Sequence, residues 1–487
     1  MENKLVYDIH DKPKFGALII LAIQQVLAIL AATIAVPTII GLPTQIPAAI
    51  FGAGVGTIIY QLFTKFRSPV FLGSSFAFLS SLGVAVAYGY CGIILGSVVA
   101  GLVYVVIALI IHFVGTNWVD KLMPPVIIGP TVALIGLSLA GAAMGDIVKA
   151  NASSMYGSYN LVSLFCGFVA FLVIVICSTQ KKIKMARLIP FILGIIAGYA
   201  VAAVFTLIGK AADIDYLMII NFRPVIDNFV NADGSFRGIS AIFSVPHLAI
   251  FEAIKELLNG NVSPEILLAN ENATVITAGG IAEVIIAFLP VALVVFAEHI
   301  ADHKNLSSII GKDLIKEPGL KRTLLGDGVG SIAGTVFGIC PNTTYGESVG
   351  CVAITKNASV ITITTTALMC IALSFISPLM AILQTIPSCV MGGVCLTLYG
   401  FIAVSGLKMF KNLDLDDSKN LFVVASILIS GIGGLVIQIP YAISETGEIT
   451  NTIQVTSIAT ALIIGIITNK ILTKVESGKL GKEPSAK

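Results

Sequence analysis

Charge is scarce in this chain of 487 residues: Asp, Glu, Lys and Arg together make up 11%, where a soluble globular domain carries roughly 25%. That deficit, with 56% hydrophobic residues and a mean hydropathy of +0.97, excludes an ordinary soluble domain and points to a polytopic membrane protein. Met1 to Phe15 is polar and runs into an apolar stretch with no small-residue cleavage site between, so the N-terminus reads as retained. Metal-type spacing is missing as well. Cys91, Cys166, Cys177, Cys340, Cys351, Cys370, Cys389 and Cys395 lie scattered in or beside apolar runs and read as small buried hydrophobes without a redox or metal role. Nothing has the nucleophile-base or metal-cluster spacing that a membrane-embedded enzyme needs. The net charge of +2 follows membrane topology and gives no reason to expect nucleic acid as a partner.

What is there is a series of apolar runs, about 16–41, 47–63, 69–87, 91–113, 124–144, 160–178, 187–209, 279–299, 323–338, 341–354, 358–384, 388–406, 420–440 and 453–473. The fold expected is an all-α polytopic membrane protein of fourteen segments. With the N-terminus inside, all but five of the 29 Lys and Arg residues fall on the inner side, as cytoplasmic loops require. The five are Lys149 in a short outer loop and Lys210, Arg223, Arg237 and Lys255 in the one long connection. Both termini therefore read as cytoplasmic. The connection 210–278 divides the chain at its midpoint into a repeat of seven segments, 1–209, and a second, 279–475, with a cytoplasmic tail 476–487. Two halves with an odd number of spans insert in opposite senses, which gives an inverted repeat. Asp213, Asp215, Glu252 and Glu256 beside apolar stretches of the connection fit an outside amphipathic cap or a passive linker.

Under that division segments three and ten correspond, and both are broken. Phe71-Leu-Gly-Ser-Ser-Phe-Ala-Phe78 and Pro341-Asn-Thr-Thr-Tyr-Gly-Glu347 place Gly, Pro, Ser and Thr where a lipid-facing helix carries Leu. Each is expected to join an extended stretch to a half-helix, an arrangement tolerated at membrane depth only around a protein-enclosed cavity. Carboxylates within spans cost about 2.5–3.5 kcal/mol on insertion scales and are functional hypotheses by default. Glu347 lies in the broken tenth segment, and Glu298 and Asp302, spaced i, i+4, share a face of the eighth. Asp302-His303-Lys304 reads as the cytoplasmic exit of that span. Asp327, in Gly326-Asp-Gly328, either caps the ninth segment or holds the eighth by hydrogen bonds. Glu283 reads as interfacial. His299 points about 100° from Glu298 and fits packing or snorkelling as well as a ligand role.

Two carboxylates accept N–H groups, half-helix ends near Phe76 and Gly346 offer backbone N–H donors, and Phe76 or Tyr345 can stack on a flat ring. A planar heterocycle with alternating N–H and C=O groups, such as a pyrimidine or oxidised purine, suits these features together. An inorganic anion of the sulfate type wants positive charge, and neither broken segment has any. Desolvated carboxylates at Glu298 or Asp302 also offer proton coupling, with sodium as the competing use of the same oxygens. No cofactor is expected beyond the co-transported ion. Saturable, concentrative uptake is what separates such a carrier from a channel.

On these residues the chain resembles, over essentially its whole length, the nucleobase-ascorbate transporter (nucleobase:cation symporter-2) family, and most closely its uracil permease branch. The signature-like stretch is Pro341 to Lys356, with Glu347 where purine carriers commonly have Gln. Ala297-Glu-His-Ile300, Gly73 to Phe78, Gln24-Gln-Val-Leu, Ala31 to Pro37 and Gly326-Asp-Gly328 support it. The resemblance implies that Glu298 and Glu347 bind the N–H groups of a base, that backbone N–H groups near Phe76 and Gly346 meet its carbonyls, and that Tyr345 walls the pocket. Gln25, Ser75, Thr344, Asp327 and Ser348 are the supporting positions. It further implies a core domain of segments 1–4 and 8–11, a gate domain of segments 5–7 and 12–14, homodimers through the gate, and proton-coupled, elevator-like import of uracil across the cytoplasmic membrane. Ser348 stands where the signature usually has Asn, Asp302 where the uracil branch can have His, and Gln25 where many members have His. These departures keep xanthine, or dual uracil and xanthine transport, as the alternative.

Overall fold

The computed structural model describes residues 5–149, 159–231, 233–443 and 449–477. The chain is mostly helical, and among the described residues there is no closed sheet. Fourteen helices are labelled here: α1 (Phe15–Ile39), α2 (Ile46–Phe63), α3 (Leu79–Val86), α4 (Gly89–Val114), α5 (Pro125–Val148), α6 (Leu161–Thr179), α7 (Pro190–Ala212), α8 (Ala278–Ile310), α9 (Leu320–Val336), α10 (Gly346–Thr355), α11 (Val360–Leu373), α12 (Ser388–Lys408), α13 (Ser418–Ile432) and α14 (Ser457–Glu476). Among the described residues nine helices are long and apolar enough to cross a membrane: α1, α2, α4 to α8, α12 and α14. Their outer faces are apolar at helical spacing. On α4, for example, Leu102, Val106, Leu109 and Phe113 are all exposed, the stripe a lipid-facing helix presents.

Both broken segments take the strand-plus-half-helix form. Strand β1 (Leu72–Ser74) leads through a turn at Phe76–Phe78 into α3, and β2 (Asn342–Thr344) leads through Tyr345 into α10. The two strands pair antiparallel, Leu72 with Thr344, Gly73 with Thr343 and Ser74 with Asn342. Backbone bonds from Ser75 N to Pro341 O (2.9 Å) and from Tyr345 N to Phe71 O (3.1 Å) extend the ladder. A two-stranded ribbon leaves edges that nothing in a bilayer satisfies. Helix α2 supplies the missing partners: Thr57 Oγ1 accepts from Leu72 N (2.9 Å) and donates to Leu72 O (3.1 Å), and Asn342 Nδ2 donates to Gly52 O (3.0 Å). Gly73 is required sterically, since a Cβ there meets the Tyr345 ring at 2.2 Å.

Around this ribbon α2 packs on α9 and α11, and α9 on α4. A second group is built on α5 against α12, with α6 packed on α7 and α12 and α13 packed on α5 and α14. Helix α8 touches both groups, lying against α3, α4, β2 and α10 on one side and α5 and α14 on the other.

Four sequence expectations are corrected. The run 420–440 is not one span: the helix stops at Ile432, before Gly433 and Gly434, and β3 (Ile437–Ile443) and β4 (Ile449–Val455) pair as antiparallel strands. Isoleucine-rich runs satisfy hydropathy and the strand period alike, and hydropathy alone mistook one for the other. The chain is therefore not strictly all-α. The eighth helix does not end near Asp302: α8 continues to Ile310 and ends at left-handed Gly311, with Asp302 and His303 buried and partnered inside the protein. The stretch 358–384 is two helices, α11 and a short Ser377–Gln384, separated by Ser374–Ile376. Finally, the connection 210–278 is not passive. Its helix Ala249–Asn259 packs on α4, with buried Glu256 accepting from Tyr90 N (2.8 Å) and Ser263 N (3.0 Å). Burial pushes the Glu256 carboxyl above its ordinary value, against the opposing pull of those N–H groups.

Candidate substrate site

The half-helix α10 begins at membrane depth, so its first N–H groups have no intrahelical partners. Gly346, its first residue, is exposed although α1, α8 and α12 all pack against the same helix. A Cβ placed on Gly346 meets nothing within 4 Å. Glu347 and Glu298 are both half-buried. Glu298 stands within electrostatic reach of Glu347, Asp302 and Asp327, and its buried Oε2 has no hydrogen-bond partner. The start of α10 and these carboxylates thus lie near one another.

The remaining positions hold this arrangement in place. Asp302 Oδ2 accepts from Thr344 Oγ1 at 2.6 Å, joining α8 to β2. Gln25 Nε2 donates to Ser348 Oγ at 2.6 Å, joining α1 to α10. The Tyr345 hydroxyl donates to Ser74 O (3.2 Å) and lies 3.3 Å from Thr33 Oγ1, so that side chain is committed to the ribbon and is 3% exposed. Phe76 is buried and sets its ring edge-on to Tyr399 of α12, with centroids 5.4 Å apart. Ser75 is buried, and its hydroxyl has no partner. Asp327 lies in the middle of α9 and bonds through Oδ2 to His299 Nδ1 at 2.6 Å, leaving Oδ1 buried without a partner. Glu283 accepts from Tyr88 Oη at 2.6 Å, away from the site.

Behind the carboxylates runs a network that the sequence reading missed. His299 Nε2 lies 3.0 Å from Thr323 Oγ1. His303 Nδ1 is 2.8 Å from the carbonyl of His299, and a carbonyl only accepts, so Nδ1 carries the proton and Nε2 accepts in the neutral ring. The hydroxyl of Tyr60, 2.8 Å from that Nε2, is therefore the donor, and it accepts in turn from Ser68 Oγ at 2.8 Å. The signal available was the repeat of His and acid along one helix: Glu298 and Asp302 form one stripe, His299 and His303 the adjacent one. Among the described residues no group of His, Cys, Asp or Glu has the geometry to hold a metal ion.

Carboxylates can accept N–H groups and the amides at a helix N-terminus can donate to carbonyls; Phe76 and Tyr345, expected to stack on a flat ring, are instead buried and held by protein partners.

Known proteins bear on which molecule. Residues 16–439 match the permease family Xan_ur_permease. The chain is 35% identical to a uracil permease of Bacillus caldolyticus over 473 residues, 96% of this chain and 95% of that protein. It is 34% identical to a uracil permease of Bacillus subtilis, over 98% and 97% of the two chains. Among solved structures it resembles the murine Solute Carrier 26 family member A9 anion transporter in the inward-facing state, with a TM-score of 0.56 at 11% identity over 96% of this chain and 69% of that one. At that identity the likeness is one of fold.

Proposed function

This chain belongs to the Xan_ur_permease family of permeases, and from that premise we propose that it imports uracil by secondary active transport coupled to protons. It is a multi-pass membrane transporter, not an enzyme. The observation that carries the substrate reading is that Glu298 lies within electrostatic reach of Glu347 on the first turn of α10, whose first residue, Gly346, is exposed. Uracil presents N–H and C=O groups alternately along its edges. Glu298 and Glu347 accept from the N–H groups, and the amides at Gly346 and near Phe76 donate to the carbonyls. A bound anion in the same place faces carboxylates, which repel it; for that reason the fold shared with an anion transporter does not carry its substrate over.

Glu298 and Asp302 are the coupling groups in this reading. Asp302 is buried and tied to the ribbon through Thr344, and Glu298 is half-buried with its Oε2 enclosed. A proton taken up with the base on one side and released on the other links the two fluxes; sodium is the competing ion. The carrier is arranged as two inverted repeats of seven segments, 1–209 and 279–475. Segments 1–4 and 8–11 form a core that carries the site past a gate of segments 5–7 and 12–14, through which two copies pair. Both termini lie in the cytoplasm and the protein sits in the cytoplasmic membrane.

A second reading, xanthine or dual uracil and xanthine transport, rests on the departures from the uracil branch at Ser348, Asp302 and Gln25. Uptake of radiolabelled uracil into vesicles holding the purified protein, under an imposed inward proton gradient and with excess xanthine, separates the two. Concentrative uptake abolished by a protonophore and indifferent to xanthine supports the uracil symporter. Strong inhibition by xanthine, or no uracil uptake, assigns the purine reading.

A further inference from the structure

A half-open cavity of about 1010 Å³ is rimmed by lysines, and none of the residues placed in the substrate site lines it. Four separate stretches bring lysines to its walls: Lys121 before α5, Lys304 on the last turns of α8, Lys408 and Lys411 at and just beyond the end of α12, and Lys419 in the first turn of α13. One acid, Asp120, is in the lining. Lys419 pairs with Glu476 at 3.1 Å; the other four lysines form no ion pair with any described residue. The acidic loop that follows α12 does not neutralise them by pairing. Asp414 and Asp417 instead accept from the backbone N–H groups of Asp416 and Lys419, each at 3.0 Å.

Basic residues at the inner ends of spans are expected. Here they rim one half-open hollow, Lys121, Lys408 and Lys411 exposed at its edge, and an anion between them relieves the repulsion of like charges. Lysine is a point-charge binder of phosphate oxygens, and a basic hollow between spanning helices takes anionic head groups. We propose that this cavity is a binding site for a phosphate-bearing anion of at least two negative charges, either a phospholipid head group or a free polyphosphate. Because α8 forms one wall and α5, α12, α13 and α14 the others, a bound anion clamps the two helix groups together.

The test uses the purified full-length protein in neutral detergent, with inorganic pyrophosphate followed by calorimetry and cardiolipin followed by native mass spectrometry. Saturable binding of at least one probe is expected. It should weaken at least about tenfold in Lys304→Gln/Lys411→Gln, the effect of losing one or two charge-assisted contacts, and be unchanged in Lys210→Gln at the far end of α7. Binding of pyrophosphate alone assigns a soluble ligand, and binding of cardiolipin alone assigns a lipid. Lys121→Gln/Lys408→Gln replaces the first pair if that pair does not fold. Absence of binding by the unaltered protein to both probes, or equal binding by the altered one, overturns the proposal.

Discussion

The carboxylates of the site differ in how far each is already occupied. Asp302 spends one oxygen on Thr344, whereas Glu298 has an oxygen with no partner and Glu347 lies beside open space. Glu347→Gln keeps the size of the side chain but turns one acceptor into a donor. It is expected to lower the apparent affinity for uracil by roughly 10- to 100-fold, from the 1.5–3 kcal/mol of a charge-assisted bond. Uptake kinetics on protein shown to be normally inserted check this, and unchanged affinity removes Glu347 from the pocket. Asp302→Asn is expected to keep the bond from Thr344, through the amide oxygen, while losing the titrating group. Uptake should then depend less steeply on the proton gradient, and an unaltered pH profile assigns coupling to Glu298. These acids were visible in the sequence because charge is so rare in its apolar runs. The partners of Asp327 and His303 were not, since they depend on how α8 is rotated against α2 and α9.

At the scale of elements, the ribbon β1–β2 is held by a single hydroxyl on α2 as much as by its own ladder. Thr57 satisfies both backbone groups of Leu72. Thr57→Val, nearly the same in shape, leaves them buried and unpaired, and should cost about 2 kcal/mol of stability. Thermal unfolding in detergent measures it, and Thr57→Ser should recover most of the loss. A comparable cost of about 2 kcal/mol is expected for Glu256→Ala, which releases Tyr90 N and Ser263 N; protease cleavage within 210–278 should accelerate in parallel. The sequence showed that segments three and ten were broken, through Gly73, Pro341 and the Ser and Thr beside them. It could not show that they pair, nor that Thr57 and Gly52 cover their edges, because those contacts join residues far apart in the chain. The strand pair β3–β4 escaped for a different reason: Ile437, Ile439 and Ile443 read equally as span or strand.

At the scale of the whole molecule, the group around the ribbon and the group around α5 and α12 meet along α8 and at the Phe76–Tyr399 contact. Asn305 of α8 donates to Ser405 Oγ of α12 at 3.1 Å across this boundary. If transport moves one group past the other, a disulfide between Asn305→Cys and Ser405→Cys should stop uptake, and a reductant should restore it. Full uptake with the bridge closed rules out sliding at this boundary. The count of apolar runs and the distribution of lysine and arginine reveal a multi-pass bundle from sequence alone. The boundary between the two groups does not announce itself there, because both are equally apolar.

The ribbon also bears on how the protein is made. Tyr345 reaches the backbone of Ser74, 271 residues earlier, so β1 enters the membrane long before its partner strand has been synthesised. Through that interval its free edge has α2 alone to lean on, and the substrate site does not exist in any form. A ribosome must complete α10 before the first half of the chain acquires the partner that closes its ribbon.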